Sequence, residues 1–439
     1  MQLRDLPRAR GLPLLGHTLA WLRDPIGTPV RLHAALGDVF VHHILSARPV
    51  VFAHPEALGQ IFADAGEHLS TAAGWRPFFG RLLPGGLLLR DHADHRHHRE
   101  LMQSAFATPA LREHVRVMNE RVPALLDALR GRPRILAVPT FRRVTLDLAG
   151  ILFLGAELGP ELAALTRAFE ELAHGVGAVV PWALPGTALR RAVAARARLV
   201  AWLRALVARR RAAPSSDLLG LLCQAVDADG RRFTDDEIVD HTLFMWMAAH
   251  DTTTGTLAMI AYELARGPAW QDRLRAEGAR LGDALPYDRM HEAREAEWVI
   301  HEALRLYPPV GSLPRRTLRP CELGGVRLPA NTPLRASVLL AQRHPDFWSS
   351  PHAFDPERFA DGRAEHRRHR HAFRPFGGGA HACMGMRFAA LQIKAVLHPL
   401  LRRYRLELPA GYRLRLRPTP SFRPADDLPL VLVPLGGRG

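Results

Sequence analysis

The sequence predicts a mainly α-helical protein with small peripheral β-sheets, folded as a single large domain over residues 1–439. Three observations carry this expectation. Most periodic segments repeat their apolar residues at helical spacing, and the one between Thr234 and Arg266 is long enough to cross the middle of a large domain. Strand-like runs are few and short. No internal repeat or Gly/Ser-rich linker marks a boundary, and shares of 47% hydrophobic and 23% charged residues are ordinary for a globular chain.

In chain order, residues 38–44 and 48–53, separated by a short turn, predict a hairpin. Residues 55–62 open with Pro55 at a helix start, and 110–129 carry apolar residues at helical spacing. Over 188–213, Leu189, Val193, Leu199, Leu203 and Val207 form the apolar side of an arginine-rich helix whose arginines are expected to be solvated. Thr234 with Glu237 three residues later is a capping box. The helix it opens should end before Gly267-Pro268, a span of about 45 Å at 1.5 Å per residue. Further helices are expected over 270–277, 292–306 (stopped by Pro308-Pro309) and 386–397. Short strands are expected over 325–328, 333–339, 406–408 and 428–433, and the His/Arg run 366–371 reads as an exposed loop.

The chain has 59 basic and 43 acidic residues, a formal charge of +16, and Lys394 is its only lysine. Such an excess suits coding bias or a surface that attracts an acidic partner. A nucleic-acid-binding protein is the reading from another class. The arginines are spread over helices rather than gathered in one recognition element, so no nucleic-acid partner is expected. Three cysteines, Cys223, Cys321 and Cys383, cannot build a disulfide framework, which points to a reducing, cytoplasmic location. Residues 11–22 are broken by Pro13, Gly16 and His17, and 248–264 contain His250 and Asp251. No membrane span is expected.

The chemistry concentrates in Phe373-Arg374-Pro375-Phe376-Gly377-Gly378-Gly379-Ala380-His381-Ala382-Cys383-Met384-Gly385. Glycines there permit positive φ and close backbone approach. The helix-like run that follows places the Cys383 sulfur near a helix N-terminus, where the thiolate is favoured and can ligate a metal. Cys223 and Cys321 read as structural.

Phe376, Gly377, Gly379, His381, Cys383 and Gly385 resemble the haem-binding loop of the cytochrome P450 superfamily, and other matches fall in the family's order. Glu302 and Arg305 resemble its Glu-x-x-Arg helix, with Arg358 as the third member of a core triad. Ala248-Ala249-His250-Asp251-Thr252 resembles its oxygen-activation segment, with Ala249 where glycine is common. His95 and Arg99, Arg315 (with Arg316 as rival) and His381 resemble its partners for the haem propionates.

The resemblance implies the cytochrome P450 fold, with haem b (iron protoporphyrin IX) between the long central helix and the Cys-loop helix. Cys383 would be the axial iron ligand, Phe376, Gly377, Gly385 and Ala248 would lie against the cofactor, and Asp251 and Thr252 would deliver protons. It implies a monooxygenase inserting one oxygen atom of O2 into a hydrophobic small molecule by hydroxylation or epoxidation. The substrate would be lipid-, terpenoid-, steroid- or retinoid-like. Its pocket would draw on Trp75, Phe78, Phe79, residues 179–182, Met245, Ala248, Ala249, Val310, Leu313 and Phe422. Electrons would come from a separate ferredoxin or flavodoxin with its reductase, and the chain would act as a monomer. Arg96, Arg367, Arg368, Arg387, Arg402 and Arg403 are expected to offer the donor a basic face. A peroxide-dependent haem hydroxylase is the rival reading; it should lack the acid and alcohol that Asp251 and Thr252 supply.

Overall fold

The computed structural model describes residues 1–155, 160–176, 182–418 and 421–436. Its organising element is the helix Asp235–Arg266, 32 residues long and buried over most of its length. The capping box fixes where it starts: Glu237 N–H donates to Thr234 Oγ1 at 3.3 Å, and Thr234 N–H donates to Glu237 Oε2 at 2.9 Å. Helices Ala137–Leu154, Ala188–Ala212, Arg294–Leu306 and Met386–Arg403 surround it. Their aliphatic and aromatic side chains merge with its own into one large apolar cluster. Among the described residues no helix is long and apolar enough to cross a membrane.

The expected hairpin is present as Val39–Val41 paired antiparallel with Val50–Phe52. It belongs to a five-stranded sheet in the order Val39–Val41, Val50–Phe52, Pro333–Ala336, Leu313–Thr317, Leu69–Ser70. Val50–Phe52 runs parallel to Pro333–Ala336, and the other pairs are antiparallel. Tyr404–Glu407 and Arg134–Leu136 flank Pro429–Pro434 in a second, three-stranded sheet.

Several boundaries differ from the sequence reading. The strand expected over 333–339 stops at Ala336, because Ser337 turns the chain and caps a short helix, Val338–Ala341. Cys321 lies on a strand the sequence reading did not include, Cys321–Leu323. The helix expected over 270–277 starts at Pro268, which suits a first helical position, and continues to Leu281. The last helix runs through Pro399 to Arg403 instead of stopping at Leu397.

Arg190, Arg191, Arg198, Arg204 and Arg209 of the arginine-rich helix are exposed as expected, and part of the row also ties this helix to its neighbour. Arg196 pairs with Asp240 at 2.8 Å, Arg204 with Asp236 at 2.9 Å and Arg211 with Asp235 at 3.3 Å, all acids of the central helix's first turns. The single lysine is buried: Lys394 Nζ donates to Met290 O at 2.9 Å and to Glu297 at 3.0 Å.

Candidate active site

The site is assembled where the Cys383 loop meets the central helix. Gly377 (φ 72°) and Gly379 (φ 65°) occupy the left-handed region that glycine tolerates. A Cβ on Gly379 would overlap the Phe62 carbonyl oxygen, so the loop packs directly on the end of the helix Pro55–Ala63. Cys383 N–H closes the loop by donating to Phe376 O at 2.9 Å. The Cys383 side chain is accessible, yet protein surrounds it closely enough that burial pushes its thiol up. Those two facts agree if the sulfur opens on an internal hollow rather than on bulk water. The Gly385 N–H and the Arg99 guanidinium oppose the rise and favour thiolate.

Facing accessibility appears on the central helix. Ala248 is exposed and Ala249 and Thr252 are half-buried, although Met245, Trp246, Met247, His250 and Asp251 around them are buried. Positions 248 and 252 share one helical face. Thr252 Oγ1 donates to Ala248 O at 2.7 Å. Asp251 points the other way: Ser421 Oγ donates to its Oδ2 at 2.8 Å and Arg423 Nη1 to its Oδ1 at 3.1 Å. The acid and the alcohol are therefore neighbours in sequence with separate partners.

Four basic side chains gather beside the loop. The His95 and His381 rings lie 3.8 Å apart, and Arg99 Nη1 donates to Ala382 O at 2.7 Å. Burial holds His381 down at about 2, reinforced by His95, Arg315 and Arg99. Burial, then Arg99, holds His95 at about 4. Arg315 is pushed down to about 10 by burial. None of the four makes an ion pair among the described residues, and His95 Nδ1 is buried without a partner. Two arginine cations without an ion partner suit an anionic ligand such as a pair of carboxylates, in whose absence burial keeps the two imidazoles beside them neutral. Arg316 is excluded from the group, since it bonds Asn331 Oδ1 at 2.7 Å on the exposed side of its strand.

Behind the loop, Glu302 takes Arg305 at 2.7 Å and Arg358 at 3.0 Å, all three fully buried. Arg305 also donates to the carbonyls of Gln342, Pro351 and Ala353. Such saturation is what lets buried charges persist. Sequence reasoning missed a fourth member, Glu365, which Arg358 reaches at 2.8 Å. Burial would raise its carboxyl, but hydrogen bonds from Ser349 and Arg363 hold it at about 2. Gln342 ties this network to the loop by accepting from Arg374 N–H at 3.1 Å. The partners Ser421 and Arg423 of Asp251 were also missed; neither belongs to a local motif.

Of the expected pocket residues, Trp75, Phe78 and Phe79 form an aromatic set on the helix Thr71–Phe79, with Trp75 5.9 Å and 5.5 Å from the two phenylalanine rings. Phe79 meets Phe244 of the central helix at 6.4 Å. Val310 and Leu313 are half-buried, and Leu313 lies against Gly377. Met245 and Phe422 are buried, the latter against Gly311. Trp182 is exposed; residues 179–181 lie outside the described residues.

A helical protein that brings an accessible cysteine and four unpaired basic side chains to one glycine-rich loop is a haem-thiolate protein in kind. The chain belongs to the cytochrome P450 family, whose model matches residues 6–423. It is 38% identical over 431 residues to cytochrome P450 136 of Mycobacterium tuberculosis, covering 97% of this chain and 87% of that one. It is 30% identical over 444 residues to cyclooctatin synthase of Streptomyces melanosporofaciens, covering 97% and 94%. The solved structure of retinoic acid-bound cyanobacterial CYP120A1 superposes with a TM-score of 0.89 at 29% identity, over 98% of this chain and 99% of that one. The protein is thus a P450 monooxygenase that binds haem b and works with a substrate, O2 and a redox partner.

Proposed function

We propose that this enzyme hydroxylates or epoxidises lipid-like hydrophobic molecules, terpenoid or retinoid in type. In this reading it is a cytoplasmic monomer, residues 1–439 form one domain, and electrons come from a separate ferredoxin or flavodoxin. The observation that carries the substrate class is the aromatic and aliphatic set of Trp75, Phe78, Phe79, Ala249, Val310 and Leu313. It supplies apolar contact without a charged side chain. The relative named for cyclooctatin and the neighbour holding retinoic acid support the same class.

Haem b, when bound, supplies the iron at which O2 is activated. Cys383 would hold that iron as thiolate, with the Gly385 N–H and Arg99 stabilising the sulfur's charge. His95, Arg99, Arg315 and His381 would hold the propionates, and Phe376, Gly377, Gly385 and Ala248 would bound the cofactor. Asp251 would hold a proton on its carboxylate after release from Ser421 and Arg423. Thr252 would turn its hydroxyl from Ala248 O to pass that proton on.

Titrating the holoenzyme with retinoic acid and with a cyclic diterpene tests the substrate class. A saturable change of haem spin state, and a product carrying one added oxygen when NADPH, ferredoxin and reductase are present, is expected. A response to sugars or small inorganic anions but to neither the retinoid nor the diterpene would contradict it. Turnover with hydrogen peroxide alone, and none with the reductase system, would favour the peroxide-dependent reading.

A further inference from the structure

We propose that His33, Asp38 and His344 form a binding site for a divalent transition-metal ion of the zinc type, separate from the haem site. His33 Nε2 lies 2.7 Å and His344 Nε2 3.1 Å from one oxygen, Asp38 Oδ1. All three ligand atoms lie within 4.8 Å of one another. Tetrahedral zinc with nitrogen and oxygen ligands at 2.0–2.2 Å spaces them about 3.4 Å apart. An ion therefore enters with shifts away from Asp38 Oδ1 of about 0.7 Å for His33 and about 0.3 Å for His344, replacing the imidazole protons that now bridge to the carboxylate.

The three residues come from separate segments, each fixed by backbone bonds. His33 is on the helix Gly27–Leu36. Gly37, at φ 82°, folds the chain back so that Asp38 returns toward it. The Asp38 carbonyl accepts from Ala53 N–H at 2.9 Å, and His344 N–H donates to Ala341 O at 3.3 Å. The His33 and His344 side chains are 15% and 7% exposed and that of Asp38 is 39%, which leaves an approach and an open coordination position.

On the far side of His344, Nδ1 accepts from Asp346 N–H at 3.4 Å, and the exposed Asp346 Oδ2 lies 3.8 Å away. With Nε2 on a metal, Nδ1 must carry the ring proton, so that backbone bond is given up and the Asp346 carboxylate turns in to accept from Nδ1. A carboxylate in that place orients the ring and strengthens the ligand. With imidazole and carboxylate donors and no thiolate, the site suits zinc, with nickel and copper as competitors.

The test uses chelator-treated holoenzyme and zinc chloride, with affinity read by competition against a chromophoric zinc chelator. One tight site per chain is expected, together with a higher melting temperature. Asp38→Asn and His344→Gln should each weaken it at least ten-fold while leaving the reduced carbon monoxide spectrum intact, and Asp346→Asn should weaken it about ten-fold. Absence of a tight site in the wild type, or one kept unchanged in Asp38→Asn and His344→Gln, would overturn the proposal. Should His344→Gln fail to fold, Asp38→Asn with Asp346→Asn decides, and unchanged affinity in both overturns it.

Discussion

At the scale of single residues, Asp251 carries the clearest functional consequence. Its carboxylate is held by Ser421, 170 residues further along the chain, and by Arg423, so the proposed proton delivery requires that clasp to loosen. Asp251→Asn should lower product formation about 100-fold or more while leaving the substrate-induced spin-state change in place. A variant with normal turnover would remove Asp251 from the proton path. The motif around Asp251 and Thr252 was legible because those residues are adjacent; the clasp was not, because only folding brings residues 421–423 to the helix. A second carboxylate tests stability rather than catalysis. Burial pushes Asp147 up to about 6 from 3.8 against the nearby Arg143, 4.0 Å from its Oδ2, which accepts no hydrogen bond. A folded-state pKa raised in this way stabilises fully below about pH 4 and loses that contribution as pH rises through about 6. Asp147→Asn should therefore gain in melting temperature over the wild type across that window. An advantage that stays constant from pH 4 to pH 8 would contradict the assignment.

At the scale of elements, the central helix was readable end to end, because a capping box, a buried apolar run and Gly267-Pro268 mark its limits within the sequence. Thr234→Ala removes the side-chain oxygen that accepts from Glu237 N–H and should cost about 1 kcal/mol, measured by denaturant unfolding. The sheet was less legible. Leu313–Thr317 reads as two arginines and a proline among mixed neighbours, yet it pairs on both sides. Its strand character comes from pairing with Pro333–Ala336, across an intervening hairpin, and with Leu69–Ser70, which lies far away in sequence. Pro399 misled in the opposite sense: packing holds its helix through a residue that local propensity would make a stop.

At the scale of the whole molecule, the excess of arginine divides into distinct roles. Some arginines are core partners, such as Arg305 and Arg358, and others tie helices together, such as Arg196 and Arg211. Of the six arginines expected to face an electron donor, five reach acids: Arg96, Arg367, Arg368, Arg402 and Arg403 pair with Glu67, Asp361, Glu365, Asp283 and Asp127. Arg387, exposed next to Met386 at the start of the Cys-loop helix, has no ion partner among the described residues. The net charge thus overstates the free positive surface, and the composition alone could not show which arginines were already engaged. An acidic donor should still bind more weakly as salt rises, and Arg387→Glu should weaken it further; binding indifferent to both would exclude that face.

All of this depends on Cys383 being the iron ligand. The measurement that tests it most directly is the absorption spectrum of the reduced, carbon monoxide-bound protein. The wild type should give the strongly red-shifted Soret band of thiolate-ligated haem, and Cys383→Ala should lose it. A wild type without that band, or a Cys383→Ala variant that keeps it, would contradict the account.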